Sequence, residues 1–212
     1  MRTILIIYPH WPPSNLAGVH RARLIANNLP DYDWHPVVLT VSHRYYEEPP
    51  DWDLVKTVNN KVEVHYTRAL PVFKPRIIGD IGLRGMYFLY RKAKKMIRSR
   101  KVDFIWIPVP SFYTSLLGRR LYEKFRIPYG IDYIDPWIRD ISSRKKWRSV
   151  LSLWLARRLE PVAVKKASLI TGVAFDYYGP VLERYFDRSR KPEAGSSKEK
   201  DRSLKPEAGS SK

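Results

Sequence analysis

Residues 3–7, Thr-Ile-Leu-Ile-Ile, form an unbroken apolar and β-branched run. Such a run marks a strand covered on both faces of a parallel sheet. The next segment, 8–17, carries three prolines with Ser14 and Asn15, which predicts a loop, and Gly18 precedes a helical pattern of Ala22, Leu24, Ile25 and Leu29. Residues 37–41 repeat the buried-strand signature. After a long polar loop, Val62, Val64 and Tyr66 alternate with Glu63, His65 and Thr67, as in a half-exposed strand. Leu83, Met86, Tyr87, Tyr90, Ala93 and Ile97 then fall at helical spacing, while Arg91, Lys92, Lys94, Lys95 and Arg98 crowd the other side. Segments 104–107, 129–131 and 168–171 read as strands, and 113–125 and 147–159 as helices.

Six strands separated by loops and helices predict an α/β fold, a Rossmann-like doubly wound parallel sheet over residues 1–186. Ligands of such sheets bind beyond the carboxyl ends of the strands, which directs attention to loops 8–20, 108–112 and 132–140. From Asp187 the composition turns to Ser, Gly, Pro, Lys and Glu, and DRSRKPEAGSSK recurs after Glu199-Lys200 as DRSLKPEAGSSK. Without apolar periodicity this tail, 187–212, cannot offset its ordering entropy and is expected to be disordered.

Composition narrows the classes. The 212 residues hold no cysteine, so neither a disulfide scaffold nor a Cys-ligated metal site is available. At 44% hydrophobic with seven Trp, the chain can bury a core of about one large domain. The net charge is +18, of which the tail contributes only +3, from eight Lys/Arg against five Asp/Glu, so the predicted domain carries +15. Such an excess opposes compaction and attracts polyanions or anionic lipid. The apolar run at residues 4–8 is too short for a signal-peptide core and is stopped by Pro9, and no stretch of about 18 apolar residues could span a membrane. A cytoplasmic chain, with the inner membrane surface open to it, is the expectation. His10, His20, His35, His43 and His65 lack metal-ligand spacing, so no metal or cofactor is expected, and no nucleophile elbow occurs.

Two stretches carry candidate chemistry. In the first loop, a helix amino terminus at Gly18 favours an anion, with His20 and Arg21 as added donors. An ordinary Pro-rich turn is the alternative, since neither common phosphate fingerprint is present. In residues 128–137, Asp132 and Asp135 could orient sugar hydroxyls and Trp137 could stack on a sugar face. Alternatively, Asp135-Pro136 caps a turn and Trp137 belongs to the core.

The apolar strand, the Pro-Pro loop ending in glycine, the later Pro-x-Pro loop at 108–110 and I-P-Y-x-x-D-Y-x-D-P-W from Ile127 to Trp137 together resemble the amino-terminal domain of family 4 glycosyltransferases. Those enzymes have the GT-B fold, two Rossmann-like domains facing across a cleft. The resemblance implies an acceptor-side domain for residues 1–186, from an enzyme that moves a sugar from a nucleotide-sugar donor to a saccharide or lipid-linked acceptor, as in polysaccharide biosynthesis. It implies donor-phosphate contacts at Gly18 with His20 and Arg21. Asp132, Asp135, Trp137, Pro110 and Ser111 would line the cleft, and no residue is nominated as a nucleophile. The paired glycines usual in the first loop are here Ala17-Gly18, and an Arg common before the second Asp is Ile134. The donor-binding domain is not found after Phe186, so the polypeptide is expected to be inactive unless a separate donor-binding domain joins it.

Basic and aromatic residues suggest a surface as well. Segment 91–101 and Arg144, Lys145, Lys146, Trp147 and Arg148, with Trp154 at helical spacing, would suit an anionic membrane, Trp147, Arg148 and Trp154 making the contact. The alternative is that the tryptophans pack on the sheet and the cations face water. A non-catalytic basic binding module is therefore the competing class. A nucleic-acid partner is the weakest reading, because no recognition motif accompanies the charge.

Overall fold

The computed structural model describes residues 1–72, 79–138 and 147–186, with only the helical backbone described at Trp147 and Arg148. The tail 187–212 lies outside the described residues. Six parallel strands form one sheet: β1 (Arg2–Ile7), β2 (Trp34–Val41), β3 (Glu63–Thr67), β4 (Phe104–Val109), β5 (Tyr129–Tyr133) and β6 (Leu169–Gly172). Their order is β3-β2-β1-β4-β5-β6, so the chain reverses its direction of travel between β1 and β4. All six predicted strands are present, and the α/β, Rossmann-like fold class holds.

Alternation along each strand builds two hydrophobic layers. Ile4, Ile6, Val38 and Trp106 turn to one face, where Val19, Ala22 and Ala26 of helix α1 (Ala17–Asn28) cover them. A short helix, α2 (Trp52–Lys56), lies in the loop read as polar from the sequence, capped by the Asp51 carboxylate accepting from the Asp53 and Leu54 N–H groups. Leu5, Ile7, Leu39, Ile107 and Ile131 turn to the opposite face. There α3 (Ile81–Ser99), α4 (Ser115–Phe125) and α5 (Trp147–Val164) follow one another across the sheet.

Helix α3 buries Leu89, Ala93 and Met96 and turns its basic side outward. The Asp80 carboxylate caps it, accepting from the Leu83 N–H at 2.7 Å. A last helix, α6 (Phe175–Tyr185), was not anticipated, because Gly179 and Pro180 interrupt its pattern. Buried Val181 fixes it to the second layer, as does a network around the fully buried Glu160 of α5. Helix α5 likewise runs past its predicted end and contains Pro161 in its final turns.

Candidate functional site

Loops after β1, β2 and β4 meet the amino terminus of α3 at one rim. His10 follows β1, and its Nδ1 lies 3.2 Å from Glu48 Oε1 in the loop after β2. The same carboxylate accepts from the hydroxyl of fully buried Ser14. Against a carboxylate, Nδ1 carries the proton and Nε2 is left as the acceptor. No described residue bonds that Nε2. Hydrogen bonding from His10, then from Ser14, brings Glu48 down to about 2 from an ordinary value of 4.5, outweighing the opposing effect of burial. Tyr46 and Tyr8 flank the imidazole, with ring centroids 5.1 and 6.1 Å away.

Asp80 completes this rim. Ser111 Oγ lies 3.1 Å from both of its oxygens and donates to the carboxylate. Burial pushes the Asp80 pKa up, while the Leu83 and Ser111 hydrogen bonds and positive charge at His10 act the other way. The Tyr8 phenol is pushed up too, first by burial and then by Tyr46, Glu48, Asp135 and Asp80, so these groups share one electrostatic environment. A His–carboxylate pair with its second nitrogen open can take a proton from a hydroxyl and hold the resulting imidazolium.

The expected site residues separate into groups. Pro110, Ser111 and Asp135 are at the rim. Gly18 lies in the first turn of α1, but a β-carbon there would run into the Tyr8 hydroxyl and come within 3.3 Å of Pro110 Cδ, so the glycine makes room for neighbouring side chains. His20 is held by the first loop: its Nε2 is 2.6 Å from Asn15 Oδ1, and Asn15 Nδ2 donates to Asp51 Oδ2 at 2.9 Å, tying that loop to the start of α2.

Arg21 and Asp132 satisfy each other. Arg21 Nε and Nη2 donate to the Asp132 carboxylate at 2.6 and 2.8 Å, and Thr171 Oγ1 donates to it at 2.7 Å. Arg21, expected at a phosphate, and Asp132, expected at a hydroxyl, are thus joined to each other in a fastener between α1, β5 and β6. It sits on the α1 side of the sheet, beside a cavity of about 440 Å³ walled by Ile25, Trp34, Phe104 and Leu169. Trp137 is buried with its ring stacked on Phe112 at 5.4 Å and edge-on to Tyr113, so it braces the turn after β4.

The basic and aromatic surface also divides, since α4 lies between α3 and α5. On α5, Trp154 is 52% exposed with Val150 and Leu151 beside it, contrary to packing on the sheet, and the Arg158 guanidinium sits 5.3 Å from its ring centre. The Trp147 and Arg148 side chains and residues 144–146 lie outside the described residues. Among the described residues, no helix is long and apolar enough to cross a membrane, and no group of three or more His, Asp or Glu could hold a metal ion.

Sequence reasoning missed Glu48 and Asp80 and gave His10 no role. No local motif marks them, since Glu48 is 38 residues from His10. The available signal was topological: parallel neighbours β1 and β2 must put their carboxyl-end loops side by side. Acid titration tests this electrostatic picture. Glu63 at the start of β3 is brought down to about 2, first by Arg100 and also by His65 and His35. Carboxylates with depressed native pKa values contribute stability above about 4.5 that disappears as pH falls toward about 2. Thermal melts should therefore fall across that window, and less steeply in a Glu48→Gln, Glu63→Gln variant. Parallel curves for the two proteins would refute the assignment.

No protein-family model matches this sequence, and no curated protein is significantly similar to it. Solved structures do share its fold. A sucrose-phosphate synthase from Thermosynechococcus elongatus superposes with a TM-score of 0.63 at 12% identity, over 90% of this chain and 46% of that one. A UGT transferase from Siraitia grosvenorii, solved in complex with UDP, gives 0.53 at 10% identity over 89% and 48%. Apo UGT2 of Phytolacca americana gives 0.52 at 12% identity over 83% and 46%. The chain thus spans about half the length of the proteins it superposes on. In fold, it corresponds to one Rossmann-like half of the two-domain GT-B glycosyltransferases.

Proposed function

We propose that this domain is the acceptor-side half of a glycosyltransferase, presenting a saccharide or lipid-linked hydroxyl to a nucleotide-sugar donor held by a second domain or chain. The observation that carries the reading is the His10–Glu48 pair, with Nε2 open, at the carboxyl-end rim of a GT-B-like sheet. In this reading His10 accepts or returns the hydroxyl proton and Glu48 stabilises the imidazolium. Asp80 and Ser111 fix the neighbouring wall, and Asp135 lines it. Arg21, Asp132 and Trp137 hold the wall in shape. Positioning and charge stabilisation across a closed cleft supply several kcal/mol each, so one wall alone should turn over little.

The test is NMR titration of the 212-residue protein with neutral oligosaccharides and with nucleotide sugars, beside a radiolabelled transfer assay. Oligosaccharides should shift His10 and Ser111 with weak, roughly millimolar affinity. His10→Ala should weaken that binding, and the chain alone should transfer no label. Tight nucleotide-sugar binding with an unmoved His10, or robust transfer by the chain alone, would overturn the assignment.

A further inference from the structure

A second concave site lies on the flank of the sheet, along its β3 edge. Helix α3 and the end of β3 enclose a groove of about 650 Å³ lined by Arg68, Arg91, Lys92, Lys94, Lys95 and Arg98. Among the described residues, no carboxylate lines it. Arg91 and Lys94 lie over the rings of Tyr87 and Tyr90, at 5.7 and 4.5 Å. Arg68, Lys92, Lys95 and Arg98 have no acidic partner among the described residues. Between Arg91 and Arg98 the helix rises about 10 Å, so the charges form a line rather than a point. Like charges this close repel one another, and an anion along the groove relieves that repulsion.

The shape selects the kind of anion. A membrane-docking surface needs side chains to insert among acyl chains. This groove is concave and, among the described residues, lined by no aliphatic one; the apolar surfaces they give it are the rings of Tyr66 and Phe88. We infer that the groove between α3 and β3 binds a linear acidic polysaccharide, its carboxylate, sulfate or phosphate groups on the four unpaired cations and its sugar faces against Tyr66 and Phe88. This rests on the reading of the domain as one that presents saccharides, and it specifies the substrate class as an anionic glycan.

The test uses the full chain and a fluorescent heparin octasaccharide, followed by anisotropy, with a neutral dextran octasaccharide, single-stranded DNA and phosphatidylglycerol vesicles as competitors. The heparin fragment should bind and dextran should not compete. With four ion contacts, affinity should fall roughly 50-fold between about 50 and about 200 mM salt. A variant carrying Arg68→Ser, Lys92→Ser, Lys95→Ser and Arg98→Ser should melt normally, lose more than about tenfold in affinity and show a much flatter salt dependence. Unchanged heparin binding by that variant, equal competition by dextran, or preference for DNA or vesicles through the same cations would overturn the inference. The two readings fail separately. Rim signals at His10 and Ser111 that no oligosaccharide moves would remove the acceptor assignment, whereas an indifferent four-site variant would remove the groove.

Discussion

Arg21→Ala will destabilise the domain by about 3–5 kcal/mol, and Asp132→Ala by less, about 1–3 kcal/mol. The asymmetry follows from burial. The Asp132 side chain is 0% exposed, whereas that of Arg21 is 30% exposed. Without the guanidinium, a carboxylate in the sheet interior retains only the Thr171 hydroxyl, and the cost of its desolvation goes uncompensated. Without the carboxylate, the guanidinium can turn its exposed side to water. The double variant should therefore be more stable than Arg21→Ala alone, because it no longer strands a charge. Urea unfolding of the three proteins checks the order, and a double variant at least as destabilised as Arg21→Ala would sink the idea. The same series separates fastening from ligand contact: a phosphate-binding Arg21 would lose nucleotide affinity while leaving the unfolding midpoint in place.

The architecture was legible because the inner strands β1 and β2 are largely buried on both faces and so spell themselves out as continuous apolar runs, while the partly exposed β3 shows itself by alternation. Residues 3–7 and 37–41 needed no tertiary information. The carboxyl-end rim was legible too, since it follows from parallel strands. What the sequence did not reveal was which polar groups are taken up by neighbours inside the fold and which reach the rim. Asp132 and Asp135 are three residues apart in one attractive motif, yet Asp132 is locked to Arg21 of α1 while Asp135 reaches the environment of Tyr8. Strand alternation ends at Tyr133, so the period that orients Asp132 does not extend to Asp135. Trp137 was ambiguous for a related reason: an aromatic after a strand can stack on a ligand or on its own neighbours, and Phe112 decides the matter from 25 residues away. Helix α6 was hidden because Gly179 and Pro180 interrupt its pattern and part of what holds it is a buried acid on another helix.

That acid carries the second large expectation. Glu160→Ala should lower stability by about 3–4 kcal/mol and loosen α6 before the rest of the sheet. Glu160 is fully buried, and its carboxylate accepts from Arg184 Nη2 at 2.8 Å, from the Tyr185 hydroxyl at 3.1 Å and from the Tyr133 hydroxyl at 3.4 Å. Two of these donors belong to α6, so the carboxylate is the polar half of that helix's attachment, with Val181 as the apolar half. Truncation strands the Tyr133 hydroxyl, whose side chain is only 1% exposed, and releases Arg184 toward solvent. Hydrogen exchange should show α6 amides losing protection ahead of β4 and β5, and equal loss everywhere would contradict a local fastening. Burial also lifts the Glu160 pKa above its ordinary 4.5, despite Arg184 beside it. An acid with a raised native pKa contributes stability that is complete below about 4.5 and is lost as pH rises through the native value. Glu160→Gln, which does not titrate, should thus lie furthest below the wild type in acid and approach it as pH rises. A gap that widened with pH would mean that the ion pair with Arg184, rather than burial, governs the site.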